Sequence, residues 1–382
     1  MVNSAPQARH FGLDWLRIGA FALLILYHIG LYFSPTGWVV KGQHIYGALE
    51  WILSAVSPWR LMVLFAVSGY ATAKMLGNSG TLWHFFSVRS RRLLIPLAFA
   101  VIVIIPPQRW IRLVTTSDYA LGFTTFWRQD YFSFSTVNGI GLPHWEHLWF
   151  VAYLWAYTSM LVIALSVMPG WRLHAARLSL WLAGSARLII VPTALMIIGR
   201  MILLETGMIA HGMFDDWIGD IHYLPAFLFG FMLAGNPVLW TAVDLNHRLA
   251  IGLSVTSYLA SATMKWVYPT GAFQPYGLFA LESLSETVMA WAMVPVCFHF
   301  ANRYLNHDHR WRATVAEAIF PFYIVHQTII VVVGWILLGY PLPGLIEFLI
   351  LIVVTTTLGA ATYLVGRRVD WFRPAIGLAP RR

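Results

Sequence analysis

The chain has 382 residues, of which 59% are apolar and 11% are charged, and its formal net charge at pH 7 is +9. In soluble proteins about a quarter of the residues are charged, so this composition excludes an ordinary soluble enzyme. Apolar residues recur in runs of about 20, the length that a helix needs to cross a bilayer. The sequence therefore predicts an all-α, polytopic membrane helix bundle.

About ten transmembrane helices are predicted, and residues 1–382 are expected to form one transmembrane domain. The helices begin near residues 13, 48, 92, 147, 186, 222, 248, 276, 314 and 343. With the N-terminus inside, most Lys and Arg residues fall in cytoplasmic loops and tails, as the positive-inside rule requires. We therefore expect both termini in the cytoplasm, and the basic charge needs no nucleic-acid partner.

The longest segment predicted as loop covers residues 106–146, on the extracytoplasmic side. Long loops in compact proteins are more often functional than idle. The single cysteine, Cys297, has no partner within the chain. This excludes an intramolecular disulfide and a cysteine metal site, and no metal site is predicted.

The first predicted helix, LDWLRIGAFALLILYHIGLYF, carries Asp14, Arg17 and His28. At about 100° and 1.5 Å per residue, Arg17 and His28 share one stripe about 16 Å apart, and Asp14 lies on the same face. Ionisable groups are costly in a membrane and usually line an interior path or site. The alternative role for His28 is a hydrogen bond to a neighbouring helix.

Two further motifs carry polar groups in the first third of the chain. In LFAVSGYATAKML, Ser68 and Gly69 permit either close helix packing or a hydroxyl contact. In FFSVRSRRLLIPLAF, Arg89 and Arg92 lie on one helical face near the positive end of a helix dipole. Such a pair suits phosphate groups, and a cluster that only fixes topology is the alternative.

Six further side chains are second candidates for a site in or beside later spans: Glu146, His147, Trp149, Glu282, Glu286 and His326. An aromatic belt accounts for Trp149 but not for the adjacent Glu146 and His147. Glu282 and Glu286 lie four residues apart, and either could orient a histidine.

In this order, the motifs resemble the acyltransferase 3 family of integral membrane acyltransferases. The resemblance rests on an Arg, ten residues and a His in the first helix, then SGY, Arg-x-x-Arg before IP, HLWF and a late FYIVH. It covers essentially the whole chain. Within the family, SVRSRRLLIP and the opening LDWLRIGAFALLILYHIGLYFSPTGW are most similar to the glucan biosynthesis protein C branch, whose members succinylate osmoregulated periplasmic glucans.

The resemblance implies an O-acyltransferase of the bacterial inner membrane. Its expected reaction moves an acetyl or succinyl group from cytoplasmic acyl-CoA to a hydroxyl of an extracytoplasmic glycan, with an osmoregulated periplasmic glucan as one such acceptor. The expected partners are therefore acyl-CoA as co-substrate, the hydroxyl acceptor and membrane lipid, with no permanently bound cofactor.

The resemblance also implies roles for individual residues. His28 and Arg17 are expected to be catalytic, with His28 acting as a base or as the carrier of an acyl group. Arg89 and Arg92 are expected to hold the phosphates of the donor. Ser68 and Tyr70 are expected to shape its channel.

The rival hypothesis is a proton-coupled secondary transporter. In that hypothesis the buried Asp14, Arg17, His28, Glu282 and Glu286 form a proton relay. Inverted repeats with broken helices at corresponding positions would favour it, and the sequence shows no such repeats.

Overall fold

A computed structural model describes residues 10–168, 170–206 and 217–381. Helices account for most of these residues, as the sequence predicts. They are α1 (Phe11–Phe33), α2 (Ala48–Gly77), α3 (Leu82–Phe99), α4 (Pro106–Thr116), α5 (Phe123–Thr125), α6 (Trp149–Val167), α7 (Trp171–Leu182), α8 (Arg187–Thr206), α9 (Trp217–Leu233), α10 (Pro237–Val267), α11 (Tyr276–Tyr304), α12 (Arg312–Leu337), α13 (Gly344–Arg368) and α14 (Phe372–Ala375).

The prediction that residues 106–146 form a loop is wrong for the part that folds as α4 and α5. Pro106 and Pro107 resemble loop residues, but proline is well tolerated in the first turn of a helix because no partner is needed there for its missing N–H. The segment also contains a short antiparallel hairpin of β1 (Thr136–Val137) and β2 (Ile140–Gly141). Its Asn-Gly turn has positive φ at both residues, which is typical of a type I′ turn.

Six helical segments in the described part of the chain are long and apolar enough to cross a membrane: Phe11–Phe33, Ala48–Gly77, Glu146–Val167, Tyr276–Tyr304, Arg312–Leu337 and Gly344–Arg368. Leu173–Leu182 and Arg187–Ile202 make a seventh if this pair, bent by 100°, is counted as one span. The chain is thus a polytopic membrane protein, and the prediction of about ten spans is not confirmed.

The structure also has helices at the remaining predicted positions, but these differ from ordinary spans. α3 has 18 residues, and its arginines, Arg89, Arg91 and Arg92, lie near its middle. The prediction that Arg89 and Arg92 lie at the positive end of a helix dipole is wrong, because the helix already begins at Leu82. The apolar part of α9 is short, covering His222–Leu233. α10 is long, at 31 residues, but charged residues interrupt it and it is not among the membrane-length apolar helices. A run of apolar residues in the sequence therefore predicts a helix here more securely than a complete span.

The chain divides into two compact units. The first unit comprises Met1–Ala20, Ser54–Phe86 and Ala156–Ala316. The second unit comprises Phe21–Leu53, Ser87–Trp155 and Glu317–Arg382. Several helices, α1 and α12 among them, contribute residues to both units.

In the first unit, α2 and α9 approach each other closely at two glycines. A Cβ atom on Gly69 would lie 1.9 Å from the carbonyl oxygen of Phe227, and one on Gly230 would lie 1.7 Å from that of Ala66. Small residues allow such contact between apolar helices. The glycine of the SGY motif is therefore required for helix packing.

In the second unit, residues 34–47 fold back against the C-terminal end of α1. The Lys41 ammonium donates hydrogen bonds to the carbonyl oxygens of Leu31, Ser34 and Thr36. Positive charge is favourable at this end of a helix because its last carbonyl groups lack helical partners. These contacts fix the loop beside the helical turn that carries His28.

Candidate active site

Two histidines from distant parts of the sequence form a hydrogen-bonded pair in the second unit. Nδ1 of His28, on α1, lies 2.9 Å from Nε2 of His326, on α12. His326 is fully buried, whereas His28 is half-buried. The pair thus combines one enclosed ring with one that is partly accessible.

The pair is held from the α12 side by the backbone around Tyr323. Nδ1 of His326 lies 2.7 Å from the carbonyl oxygen of Tyr323. Nε2 of His147 lies 3.1 Å from the carbonyl oxygens of both Tyr323 and Ile324. The Tyr323 hydroxyl donates in return to the His147 carbonyl oxygen. Two of the second candidates, His147 and His326, are therefore brought together with His28.

Glu146 contacts an arginine that the sequence analysis did not select. Its Oε1 lies 2.8 Å from Nε of Arg109, on α4, and both side chains are largely buried. Burial lowers the pKa of the Arg109 guanidinium, while the Glu146 carboxylate opposes that shift. The ion pair joins α4 to the start of α6, next to His147. Trp149 packs instead against Tyr153, with its ring centroid 5.2 Å away.

A second connection from α4 reaches the residues that follow His326. The Gln327 amide donates to Oε1 of Gln108 at 2.9 Å. The Gln108 amide donates in turn to the hydroxyl of Thr328. Gln108 is not among the predicted site residues because the segment that forms α4 was predicted to be a loop. The one signal in the sequence is an amide side chain directly after two prolines, and the structure shows that this side chain is buried. These bonds fix the turn of α12 that carries His326.

The paired arginines lie side by side on α3 in the second unit. Arg89 is half-buried and Arg92 is exposed, and the positive charge of Arg92 repels that of the Arg89 guanidinium. The intervening Ser90 accepts a hydrogen bond of 3.0 Å from the Trp155 indole, which joins α3 to α6. Two neighbouring like charges on one helix face suit an anion with several oxygens.

In the first unit, Asp14 and Arg17 contact the start of α12. Asp14 forms an ion pair with Arg312, and Nη2 of Arg17 donates to the carbonyl oxygen of Ala316 at 3.1 Å. Arg312 also binds Asp308 at 2.7 Å. These contacts join the N-terminal part of α1 to α12.

Ser68 and Tyr70 lie on α2 in the first unit. Ser68 is half-buried, and its carbonyl oxygen accepts the Thr72 hydroxyl at 2.6 Å. The buried ring of Tyr70 lies 6.2 Å from the ring of His10 and 5.6 Å from Nζ of Lys74. Tyr70 therefore has an aromatic and a cationic neighbour at this end of the unit.

The carboxylates of Glu282 and Glu286 contact a lysine in the first unit. Lys265 forms an ion pair with Glu282 and another, of 3.0 Å, with Glu286. The Gln274 amide donates to Glu282 at 3.0 Å, and the Ser261 hydroxyl donates to Glu286 at 3.3 Å. The hypothesis that these glutamates orient a histidine is not supported by these contacts. Within the described ranges, no group of three or more His, Cys, Asp or Glu side chains could hold a metal ion.

Comparison with known proteins gives a match over nearly the whole chain. The sequence model of the acyltransferase domain family, Acyl_transf_3, matches residues 10–364. Glucans biosynthesis protein C of Shigella dysenteriae serotype 1 (strain Sd197) is 25% identical over 354 residues, which cover 87% of this chain and 85% of that protein. The proteins of the same name from Escherichia coli O139:H28 and Escherichia coli K12 give the same identity and coverage. No solved structure matches this chain.

Proposed function

Because this chain belongs to the acyltransferase 3 family of membrane O-acyltransferases, we propose that it transfers an acetyl or succinyl group from acyl-CoA to a hydroxyl of an extracytoplasmic glycan. The family assignment follows from the match over residues 10–364. The observation that carries the proposal to individual residues is the 2.9 Å contact between the half-buried His28 and the buried His326. An imidazole held in this way can act as a base near neutral pH.

In the direct reaction, His28 takes the proton of the acceptor hydroxyl as its oxygen attacks the thioester carbonyl carbon. The carbon–sulfur bond breaks, and the coenzyme A thiolate leaves and takes the proton back from His28. The products are the ester and free coenzyme A, and the histidine returns to its neutral form.

A two-step reaction uses the same residue as a nucleophile. The imidazole nitrogen of His28 attacks the thioester, coenzyme A leaves as the thiol, and an acyl-imidazole forms. The acceptor hydroxyl then attacks this acyl group and restores the histidine. Incubation with labelled acyl-CoA in the absence of acceptor separates the two reactions, because only the second leaves label on the protein, where hydroxylamine releases it.

For the donor, we assign the phosphate contacts to Arg89 and Arg92. The support is their shared face on α3 and the mutual repulsion of their charges, which an anion would relieve. For Arg17, Ser68 and Tyr70, all in the first unit, the support for a role toward the donor is the family resemblance alone.

This assignment requires Arg89 and Arg92 to lie on the cytoplasmic side, with both termini inside the cell and the protein in the inner membrane. The excess of basic residues in the corresponding loops supports that orientation. Reporter tags at the C-terminus and in the α2–α3 connection are expected to be cytoplasmic, and a tag within residues 118–138 is expected outside. An external C-terminus would remove the basis for the donor site.

The name of the relatives favours a glucan as the acceptor, because it refers to glucan biosynthesis. Purified protein in vesicles is incubated with labelled acetyl-CoA or succinyl-CoA and a periplasmic glucan, and the glucan is analysed by mass spectrometry. We expect the mass of one acyl group to be added and mild alkali to remove it. Uptake of label into the vesicles without any ester would instead favour a transporter.

A further inference from the structure

We infer that His326 is a positioning residue that holds His28 in one tautomer, with the proton on Nδ1, so that Nε2 of His28 is the reacting atom. The inference rests on the proposed acyl transfer and deepens it. It names which atom of His28 meets the substrate and which residue selects that atom.

The first step is the bond between His326 and the backbone. A carbonyl oxygen can only accept a hydrogen bond. Nδ1 of His326 lies 2.7 Å from the Tyr323 carbonyl oxygen, so this nitrogen carries the proton. In a neutral ring the other nitrogen then has a lone pair and accepts. Nε2 of His326 is therefore an acceptor.

The neutral state of His326 follows from its surroundings. The ring is fully buried, with the ring of His147 centred 5.0 Å away and the ring of Tyr323 centred 5.8 Å away. Its ring nitrogens contact an imidazole and a backbone carbonyl, neither of which carries a negative charge. Burial of an ionised group without a counter-charge is costly, so the ring is held neutral.

The second step passes from His326 to His28. Because Nε2 of His326 accepts, Nδ1 of His28, at 2.9 Å, must donate. The neutral His28 ring consequently carries its proton on Nδ1 and a lone pair on Nε2. A base or a nucleophile needs such a lone pair.

The ring of Trp38, from the loop after α1, restricts the orientation of the His28 ring. The two rings are nearly parallel, with an interplanar angle of 16° and 6.1 Å between their centroids. Rotation of the imidazole would break the hydrogen bond to His326 and tilt the ring against the indole. The face of His28 and its Nδ1 edge are thus both occupied, and Nε2 lies on the other edge.

The arrangement also stabilises the charge that develops during the reaction. When Nε2 of His28 takes the hydroxyl proton, the ring becomes an imidazolium and its Nδ1–H becomes a stronger donor. The hydrogen bond to His326 is then charge-assisted. When the thiolate takes the proton from Nε2, both rings return to their starting state.

Three substitutions of His326 distinguish positioning from packing. In His326→Gln the amide oxygen can reach the place of Nε2 and still accept from His28. In His326→Asn the amide ends near the place of Nδ1, and in His326→Leu no acceptor remains. Loss of the correct tautomer lowers kcat by about four orders of magnitude in a serine protease, which sets the scale.

We expect His326→Asn and His326→Leu to lower kcat for acyl transfer by about 100-fold or more, with little change in KM for acyl-CoA. His326→Gln is expected to stay within about tenfold of the original protein, since it keeps the acceptor. The matched control is His174→Leu, because exposed His174 also contacts a carbonyl oxygen through Nδ1, at 3.2 Å. Equal kcat losses for Gln and Asn would show a packing role and overturn the inference.

Nitrogen NMR of ¹⁵N-histidine-labelled protein tests the tautomer without any activity. The His28 signals, identified by their loss in His28→Ala, are expected to show a protonated Nδ1 and an unprotonated Nε2 in the original protein. They are expected to change in His326→Leu. A proton on Nε2 of His28 in the original protein overturns the inference. Absence of acyl transfer together with the expected tautomer would instead contradict only the proposed function.

Discussion

Each of the two units contains a pair of neighbouring histidines, and the two pairs differ in how their rings meet. In the second unit, His28 and His326 meet at their edges through a 2.9 Å hydrogen bond. In the first unit, His247 and His299 stack face to face, with centroids 4.1 Å apart and an interplanar angle of 6°. Nδ1 of His299 contacts a carboxylate oxygen of Asp244 at 2.7 Å. Nδ1 of His247 contacts the backbone carbonyl oxygen of the same Asp244 at 2.6 Å.

The direction of the hydrogen bonds, rather than the number of imidazoles, distinguishes a pair suited to chemistry from one that only joins helices. In the edge-to-edge pair, the inferred hydrogen bonds give the proton of each ring a defined place and leave the lone pair of His28 on Nε2. In the stacked pair, no hydrogen bond joins the rings. Both instead bind Asp244, whose side chain is 44% exposed. The stacked pair therefore joins α10 to α11.

The largest expected effect is on His28. His28→Ala should lower acyl transfer by about two to four orders of magnitude, because loss of a general base has that cost and loss of a nucleophile costs more. Insertion and folding should change little, since an interhelical hydrogen bond in a membrane contributes only about 0.6 kcal/mol on average. The transfer assay and size-exclusion chromatography of the extracted protein measure these two effects.

The control for that substitution is His299→Ala in the stacked pair, which should retain transfer close to that of the original protein. More than about a tenth of the original activity in His28→Ala, judged against the same loss estimates, would contradict the catalytic assignment. The edge-to-edge pair would then have no more part in the chemistry than the stacked pair.

The second prediction concerns the donor side of the second unit. Replacing Arg89 and Arg92 together by Ala should raise KM for acyl-CoA by about 10-fold to 100-fold, because one hydrogen bond to a charged group contributes about 1.5–3 kcal/mol and water screens the exposed Arg92. The fall in kcat should be smaller than that for His28→Ala. The measurement is initial rate against acyl-CoA concentration.

Arg381→Ala provides the matched control, because this exposed arginine binds Asp370 at 3.3 Å near the C-terminus. An unchanged KM in the double variant would return Arg89 and Arg92 to a role in membrane orientation alone.

The sequence predicted the helical class, because long apolar runs are local properties of a chain, but it predicted about ten spans where the described residues contain six membrane-length apolar helices. It could not predict that His28 and His326 touch, since they are 298 positions apart and periodicity along one helix does not specify the partner helix. The family motifs nevertheless selected both residues. The ion pair between Arg109 and Glu146 was not predicted, because the two prolines at the start of α4 led to the prediction of a loop there.

The carboxylates of the first unit also bear on the transporter hypothesis. A proton relay requires groups that can exchange protons, whereas Glu282 and Glu286 both form ion pairs with Lys265. Lys265 and Glu282 are 19% and 12% exposed, so their pairing is mostly shielded from water. We interpret this cluster as structural, in contrast to the histidine pair of the second unit.

The third prediction is therefore an effect on stability. Loss of an exposed ion pair costs about 1 kcal/mol of stability, and loss of one partner of a buried pair costs about 3–5 kcal/mol. Lys265→Met should destabilise the protein by an amount between these limits. Acyl transfer by the folded fraction should persist. Thermal unfolding in detergent gives the first quantity and the transfer assay gives the second. Loss of transfer at unchanged stability would favour a relay through these carboxylates.

The last prediction concerns the stacked pair, where only a small loss of stability is expected. Asp244→Asn removes the negative charge beside His299 while leaving a group that can still form a hydrogen bond. Because the Asp244 side chain is 44% exposed, water screens its charge, and the loss of stability should be below about 1 kcal/mol. Acyl transfer should equal that of the original protein, and the thermal unfolding temperature should fall only slightly. If Asp244→Asn instead lowered kcat as strongly as His326→Leu, the stacked histidines would belong to the chemistry. The contrast between edge-to-edge and stacked pairs would then fail as a guide to function in this protein.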